Sequence, residues 1–325
     1  MRALVCNAYG PPEALAIEER PDPEPGPGQL VVDVAAAGIN FPDVLVIAGR
    51  YQVKTPPPFV PGNEAAGVVA AVGDGVRLFR PGDRVIVATR GGAFAEKCLA
   101  DEHTTMPIPA GLDFEHAAAF SVTYGTAYHA LKQSAALEAG ETVLVLGAAG
   151  GVGSAAVEIA KAMGARVIAA AGSGAKLDFA RSLGADETID YSATPLREAL
   201  KELAGDDGVD VVVDPVGGEL AQQALRGTAW HGRYLVIGFA SGEIPEFPAN
   251  LALLKEASIV GVWWGTWAAK NPDTQLENMR ELAGLIQAGK IAPRVTEVFA
   301  FEDYAAAFGA ITGRRALGKV VLRLR

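Results

Sequence analysis

Residues 143–153 read Val-Leu-Val-Leu-Gly-Ala-Ala-Gly-Gly-Val-Gly, and the rest of the chain is organised around them. The aliphatic run Val143 to Leu146 predicts a strand buried on both faces, as in a parallel sheet. Gly147, Gly150 and Gly153 follow at intervals of three, and an apolar helical stretch runs from Val152 to Met163. A strand, a glycine turn and a helix N-terminus, in that order, form an anion site. The first N–H groups of the helix have no intrahelical partner, and the helix dipole favours a phosphate. Gly150 lets backbone approach a pyrophosphate, and Gly153 lets helix and strand pack tightly. The spacing is G-x-x-G-x-x-G rather than G-x-G-x-x-G, so the glycines carry weight through their strand–turn–helix context. Gly147, Gly150, Gly151, Val152 and Gly153 are the expected contacts to a dinucleotide.

Strands and helices alternate downstream. Arg166–Ala170 precedes a helix over 175–183, and Val209–Asp214 precedes one over 218–228. Arg233–Ile237 leads into a loop, and a short helix at Leu251–Ala257 precedes the strand Ser258–Trp263. This alternation predicts a doubly wound parallel sheet. Residues 1–120 differ. Strands at Arg2–Cys6, Leu30–Ala36, Gly67–Val72, Arg84–Ala88 and Ala93–Leu99 are separated by glycine and proline turns, and Pro21–Gly28 is an extended surface connection. Such short, punctuated strands predict a compact, irregular β-barrel. After Asp273 come a helix over 274–289, a strand over 294–299, a helix over 302–312 and a last strand, Lys319–Leu324. These are expected to return to the first domain. The predicted organisation is α/β: residues 1–122 with 266–325 as a β-rich domain, into which a Rossmann domain, 123–265, is inserted.

Composition narrows the function. Half of the 325 residues are hydrophobic and the formal charge is −10, which disfavours nucleic acid and anionic membrane as partners. Only Cys6 and Cys98 occur, consistent with reduced thiols in a cytoplasmic protein. The N-terminus lacks the apolar core of a signal peptide, and no apolar run approaches a membrane span. The histidines His103, His116, His129 and His231 pair with no cysteine at metal-ligand spacing.

The end of the second Rossmann strand reports cofactor preference. An NAD site places an acid there to hold the ribose 2′-hydroxyl. Here the segment is Ala169-Ala-Ala-Gly-Ser-Gly-Ala-Lys176, with no acid before Asp178. Ser173 offers a hydroxyl and Lys176 a cation to a 2′-phosphate, and Tyr191 follows a third strand close to the same place. The expected cofactor is NADPH.

Three further motifs carry a resemblance. Ala36-Ala-Gly-Ile-Asn-Phe-Pro-Asp43, Gly49-Arg-Tyr51 and Pro61-Gly-Asn-Glu-Ala-Ala-Gly67, with the glycine turn, resemble the medium-chain dehydrogenase/reductase superfamily. Within it, the chain resembles the zinc-free NADPH:quinone oxidoreductases, the zeta-crystallin-like group, along its whole length. The resemblance implies a GroES-like first domain. Asn40 stands where zinc alcohol dehydrogenases carry a ligating Cys, and Asn63 where they carry a His; their four-cysteine lobe after Arg84 is missing. It implies hydride transfer to a quinone without zinc, or else to an activated alkene such as an enone or enoyl thioester. A nucleotide-binding structural role of the crystallin kind is the remaining alternative.

By resemblance, Asn40, Asp43 and Tyr51 lie beside the nicotinamide. Asn40 orients cofactor or acceptor oxygen, or else serves a turn; Asp43 completes the same constellation, or else is the N-cap of a short helix; Tyr51 donates a hydrogen bond or a proton to developing negative charge, or else packs as a core or rim aromatic. Glu64 is expected to anchor the Gly62–Gly67 turn. Thr126, Gly238, Phe239, Trp263, Trp264 and Gly265 are expected near the nicotinamide, the last three at the end of a strand, and Arg315 at the adenosine phosphate. The apolar strand Ser258–Trp263 is expected at the sheet edge, where it would join two copies into a homodimer.

Overall fold

The structure is a computed structural model describing residues 1–325. Contacts divide the chain into two units, Met1–Val122 with Pro293–Arg325, and Thr123–Ala292. In chain order the first unit holds β1 (Arg2–Val5), β2 (Ala16–Glu19), β3 (Gln29–Ile39), α1 (Phe41–Ile47), β4 (Glu64–Val72), β5 (Arg84–Ala88), β6 (Lys97–Asp101), β7 (Thr105–Pro107) and α2 (Phe114–Ala118), and ends within the first turn of α3 (Ser121–His129). The second unit continues with β8 (Thr142–Leu146), α4 (Gly151–Ala162), β9 (Arg166–Ala171), α5 (Gly174–Ser182), β10 (Glu187–Asp190), α6 (Leu196–Ala204), β11 (Val209–Asp214) and α7 (Glu219–Arg226). It closes with β12 (Thr228–Val236), α8 (Ala249–Lys255), β13 (Ser258–Gly261), α9 (Trp264–Lys270) and α10 (Pro272–Gln287). Then β14 (Val295–Ala300), α11 (Tyr304–Thr312) and β15 (Lys319–Arg323) rejoin the first unit.

The main sheet of the first unit runs β14-β15-β3-β4-β5-β7, with β6 also paired to β3; only β14 and β15 are parallel. Leu30, Val32 and Val34 alternate along β3 and point one way, as the strand period requires, into a core completed by Phe94, Phe301, Phe308 and Leu322. Phe94 and Phe308 meet edge to face, centroids 5.9 Å apart.

The second unit is a six-stranded, all-parallel sheet in the order β10-β9-β8-β11-β12-β13. The order reverses between β8 and β11. In doubly wound sheets ligands bind beyond the strand C-termini at such a reversal. Thr142–Leu146 is buried from Val143 onward, and α4 is buried along Gly153–Ala160, in keeping with a helix built mostly of small or apolar residues.

Two features depart from the sequence reading. The chain rejoins the first unit at Pro293, whereas the expectation was 266. Residues 266–292 stay with the second unit because α10 is tied to α3 and the turn after it: Tyr128 Oη donates to Glu281 at 2.5 Å and Gln133 Nε2 to Asn278 at 2.9 Å. Secondly, Trp264 and Gly265 begin α9 and do not end a strand, since β13 stops at Gly261. The Trp264 indole packs against Gly125, where a Cβ would lie 2.6 Å from the ring, and donates to Gln275 Oε1 at 3.0 Å. No helix is long and apolar enough to cross a membrane.

Candidate functional site

The expected site residues fall in two sets, one in each unit. In the second unit, β8 delivers Gly147 at the sheet's reversal and α4 starts from Gly150 as N-cap, with no side chain capping it. Its first N–H groups, those of Gly151, Val152 and Gly153, are therefore available to an anion. Gly153 is obligatory: a Cβ there would stand 2.2 Å from the Gly147 carbonyl oxygen. The turn has the geometry of a phosphate cradle.

At the end of β9, Ser173 is the N-cap of α5, yet its hydroxyl makes no capping hydrogen bond. Tyr191 lies over the same turn: a Cβ on Gly172 would meet its ring at 3.0 Å. Lys176 is half-buried in the first turn of α5. Thus Ser173 and Tyr191 are brought together about Gly172, with Lys176 following. The acid nearest the reversal, Asp214 at the end of β11, is committed elsewhere. It accepts from Val216 N at 2.7 Å, Gly217 N at 2.8 Å and Tyr234 Oη at 2.6 Å. Burial raises its pKa against those bonds. The sequence reading did not assign Asp214; its signal was the Asp-Pro-Val-Gly-Gly turn after an apolar strand.

In the first unit a buried polar cluster surrounds the end of β3. Glu64, fully buried, accepts at Oε1 from Lys319 Nζ at 2.6 Å and Asn40 Nδ2 at 2.8 Å. At Oε2 it accepts from Ser121 Oγ at 3.0 Å and Val122 N at 2.9 Å. Gly38 makes room: a Cβ there would lie 2.8 Å from Glu64 Oε1 and 2.4 Å from the Ala118 carbonyl oxygen. Glu64 ties its segment outward, to β15, Asn40 and the start of α3, and makes no side-chain bond within Gly62–Gly67. Asp43 closes the first turn of α1, accepting from Asn40 N at 2.7 Å and from Asn63 Nδ2 at 2.7 Å. Its carboxyl is fully buried, and desolvation, opposed mainly by the Asn40 N–H, pushes its pKa up to about 7. Asn40, not Asp43, is the N-cap of α1; Asp43 braces the helix start from its third position. No group of three or more His, Cys, Asp or Glu side chains is disposed to hold a metal.

Comparison with known proteins places this geometry. Residues 26–135 match the alcohol dehydrogenase GroES-like domain and residues 151–283 the zinc-binding dehydrogenase domain. The quinone oxidoreductase-like protein 2 of Bos taurus is 40% identical over 325 residues, covering 100% of this chain and 93% of the relative. The chain belongs to the quinone oxidoreductase branch of the medium-chain dehydrogenase/reductase superfamily. Among solved structures, the Escherichia coli quinone oxidoreductase complexed with NADPH is 30% identical with a TM-score of 0.91, each chain covered to 100%. The CurK enoyl reductase is 28% identical with a TM-score of 0.90, covering 100% of this chain and 99% of that one.

The remaining residues can now be placed on an oxidoreductase of that branch. Asn40 is 6% exposed and its amide is engaged at both ends, Nδ2 on Glu64 and Oδ1 accepting from Lys319 at 2.7 Å. The second Nδ2 N–H makes a long hydrogen bond to Gly38 O at 3.5 Å. Tyr51 follows α1, its backbone N–H on Leu45 O at 3.1 Å and its phenol half-buried without a hydrogen bond. Arg315 is exposed after α11 in the first unit. In the second unit Thr126 is half-buried in α3, and Gly238 and Phe239 are half-buried just beyond β12, with Gly238 N on Asp214 O at 3.3 Å. Trp263 is exposed, whereas Trp264 is pinned as described. Lys319 and Ser121 are the members of the first-unit cluster that sequence reasoning missed. The signal was a lysine opening a strand, Lys-Val-Val-Leu-Arg, that is otherwise apolar until its last residue.

Proposed function

We propose that this oxidoreductase uses NADPH to reduce a quinone by hydride transfer, without zinc. The observation that carries the reading is the turn after β9, where Ser173, Lys176 and Tyr191 gather and the strand ends without the acid that would hold a ribose 2′-hydroxyl. When bound, NADPH supplies a hydride from nicotinamide C4. The N–H groups of Gly151, Val152 and Gly153 bind the pyrophosphate, with Gly147 and Gly150 shaping the turn. Ser173, Lys176 and Tyr191 hold the 2′-phosphate, and Arg315 adds charge to it. Thr126, Gly238, Phe239, Trp263, Trp264 and Gly265 position the nicotinamide and wall the acceptor. The Asn40 N–H held only by the long bond to Gly38 O orients the reacting oxygen, and Asp43 keeps Asn40 in place. Zinc independence is supported by the donor set: amides occupy the positions expected for ligands, and the Lys319 ammonium sits on Asn40 Oδ1, where it repels a divalent cation.

A second reading, reduction of an activated alkene, is favoured by the free phenol of Tyr51, a group able to protonate a developing enolate, and by the similarity to an enoyl reductase. Oxidation of NADPH and of NADH, followed against a quinone panel and an enoyl-CoA panel, tests both. Turnover with neither panel would sink the enzyme readings, and a preference for NADH would refute the roles of Ser173 and Lys176. With Tyr51→Phe, loss of alkene reduction alone assigns the phenol as proton donor.

The dimer and the compartment belong to the same proposal. β13 is an edge strand with Ile259 39% exposed, near the chain segment bearing exposed Leu253 and Leu254. A second copy of the chain pairing along it would cover that edge; light scattering at one chain mass would remove the idea. Cys6 and Cys98 are buried and unpaired, in keeping with a reducing cytoplasm.

A further inference from the structure

Lys319 is 3% exposed, an unusual place for an ammonium. It is fully satisfied there. Nζ donates to Glu64 Oε1 at 2.6 Å, to Asn40 Oδ1 at 2.7 Å and to the Ile39 carbonyl at 3.0 Å, which uses all three of its protons. Two of those acceptors belong to the peptide segment leading into α1, and the third holds the other end of the same Asn40 amide. The amide therefore has one permitted orientation. Turned over, its NH₂ would face the ammonium and its oxygen would face the Glu64 carboxylate, donor against donor and acceptor against acceptor.

We propose that Lys319 is a positioning residue for the reduction: its ammonium, with Glu64, locks the Asn40 amide so that its second N–H, held only by a long bond to Gly38 O, has a fixed direction. The role rests on the reading above, in which Asn40 serves the reacting centre. Lys319 touches no reacting atom; it acts through Asn40. A charge-neutral pair of amino acids would fill the same space, so packing alone does not require Lys and Glu. What the charged pair adds is discrimination between the two ends of an amide.

The test separates this from a merely structural salt bridge. Lys319→Met removes the charge and keeps most of the stem. It leaves Glu64 buried without its ion-pair partner, so Tm falls. The double variant Lys319→Met/Glu64→Gln removes both charges and is expected to recover most of that Tm. Steady-state kinetics with NADPH and the best acceptor are then compared. We expect kcat to fall about ten- to a hundredfold in both variants, with KM for NADPH within about twofold of the unsubstituted chain. A kcat that recovers together with Tm in the double variant overturns the proposal. A second readout does not depend on turnover. The Asn40 side-chain ¹⁵N–¹H₂ pair, assigned by its loss in Asn40→Asp, is expected as one set in the unsubstituted chain and as two sets or an averaged one in the double variant. An unchanged single set overturns the lock. If the unsubstituted chain reduces neither acceptor class, the functional reading falls, and this amide signal alone decides whether Lys319 orients Asn40.

Discussion

Raising the pH from 5 to 8 is expected to weaken the first unit through one carboxyl, that of Asp43. In the folded chain its pKa is pushed up to about 7 from 3.8, because burial outweighs the Asn40 and Asn63 hydrogen bonds and the attraction of Lys319, while Glu64 repels the charge. A carboxyl whose folded pKa is raised holds its proton more tightly when folded. Its contribution is complete below the unfolded pKa, declines as the pH rises, and is gone above the folded pKa. About three pKa units at 1.36 kcal/mol each amount to about 4 kcal/mol in full, of which about 3 kcal/mol is lost between pH 5 and pH 8. The perturbation is Asp43→Asn, which removes the titration and adds a pH-independent penalty of about 1 kcal/mol for a mismatched hydrogen bond. The assay follows from residue placement. Cys6 and Cys98 are both in the first unit's core, whereas Trp230, Trp263, Trp264 and Trp267 all belong to the second unit. Pulsed thiol labelling along a urea gradient therefore reads the first unit, and tryptophan fluorescence reads the second. The thiol-reported stability difference between the parent and Asp43→Asn should shrink by about 3 kcal/mol from pH 5 to 8, with the fluorescence-reported difference flat. A thiol-reported difference constant to about 0.5 kcal/mol would refute the reasoning.

Other outcomes follow from the second unit. Gly153→Ala puts a Cβ 2.2 Å from the Gly147 carbonyl oxygen, so the turn must open; NADPH affinity measured by fluorescence titration should fall more than tenfold. Lys176→Ala should raise KM for NADPH about tenfold and leave KM for NADH within about twofold, because NADH has no 2′-phosphate for the cation to hold; equal effects on both cofactors would reassign Lys176. Asp214→Asn should lower Tm without altering cofactor preference, since the carboxylate is committed to Val216, Gly217 and Tyr234.

The second unit's sheet was the more legible part of the chain. The run of Val143 to Leu146 and the alternation after it announce buried parallel strands, and β8, β9 and β11 lie within one residue of their expected bounds. The elements that escaped are those held by tertiary contact. α9 begins Trp-Gly-Thr-Trp, a sequence of poor helix propensity, and is kept helical by Trp264 on Gly125 and by Trp267 stacked on His129 at 4.0 Å. β2 and β7 are only four and three residues long and show no alternation to read. At the site, the residues drawn from short motifs, Asn40, Asp43 and the glycine turn, have clear local settings. The partners that fix them are remote in sequence: Lys319 is 279 residues from Asn40, a separation that no spacing argument reaches.

The place of β15 has a consequence for how the molecule is made. This strand, formed by residues 319–323, lies inside the first unit's sheet between β14 and β3. The second unit is contiguous, residues 123–292, and its sheet can close while translation continues. The first unit's sheet cannot, although more than a hundred of its residues emerge first. Until β15 docks, Glu64 lacks the cation that makes its burial tolerable, and an unpaired buried carboxylate opposes closure. The strand that completes the sheet and neutralises its interior is thus the last of the unit's strands in chain order, so a nascent chain stalled before residue 319 is held open by its own charge.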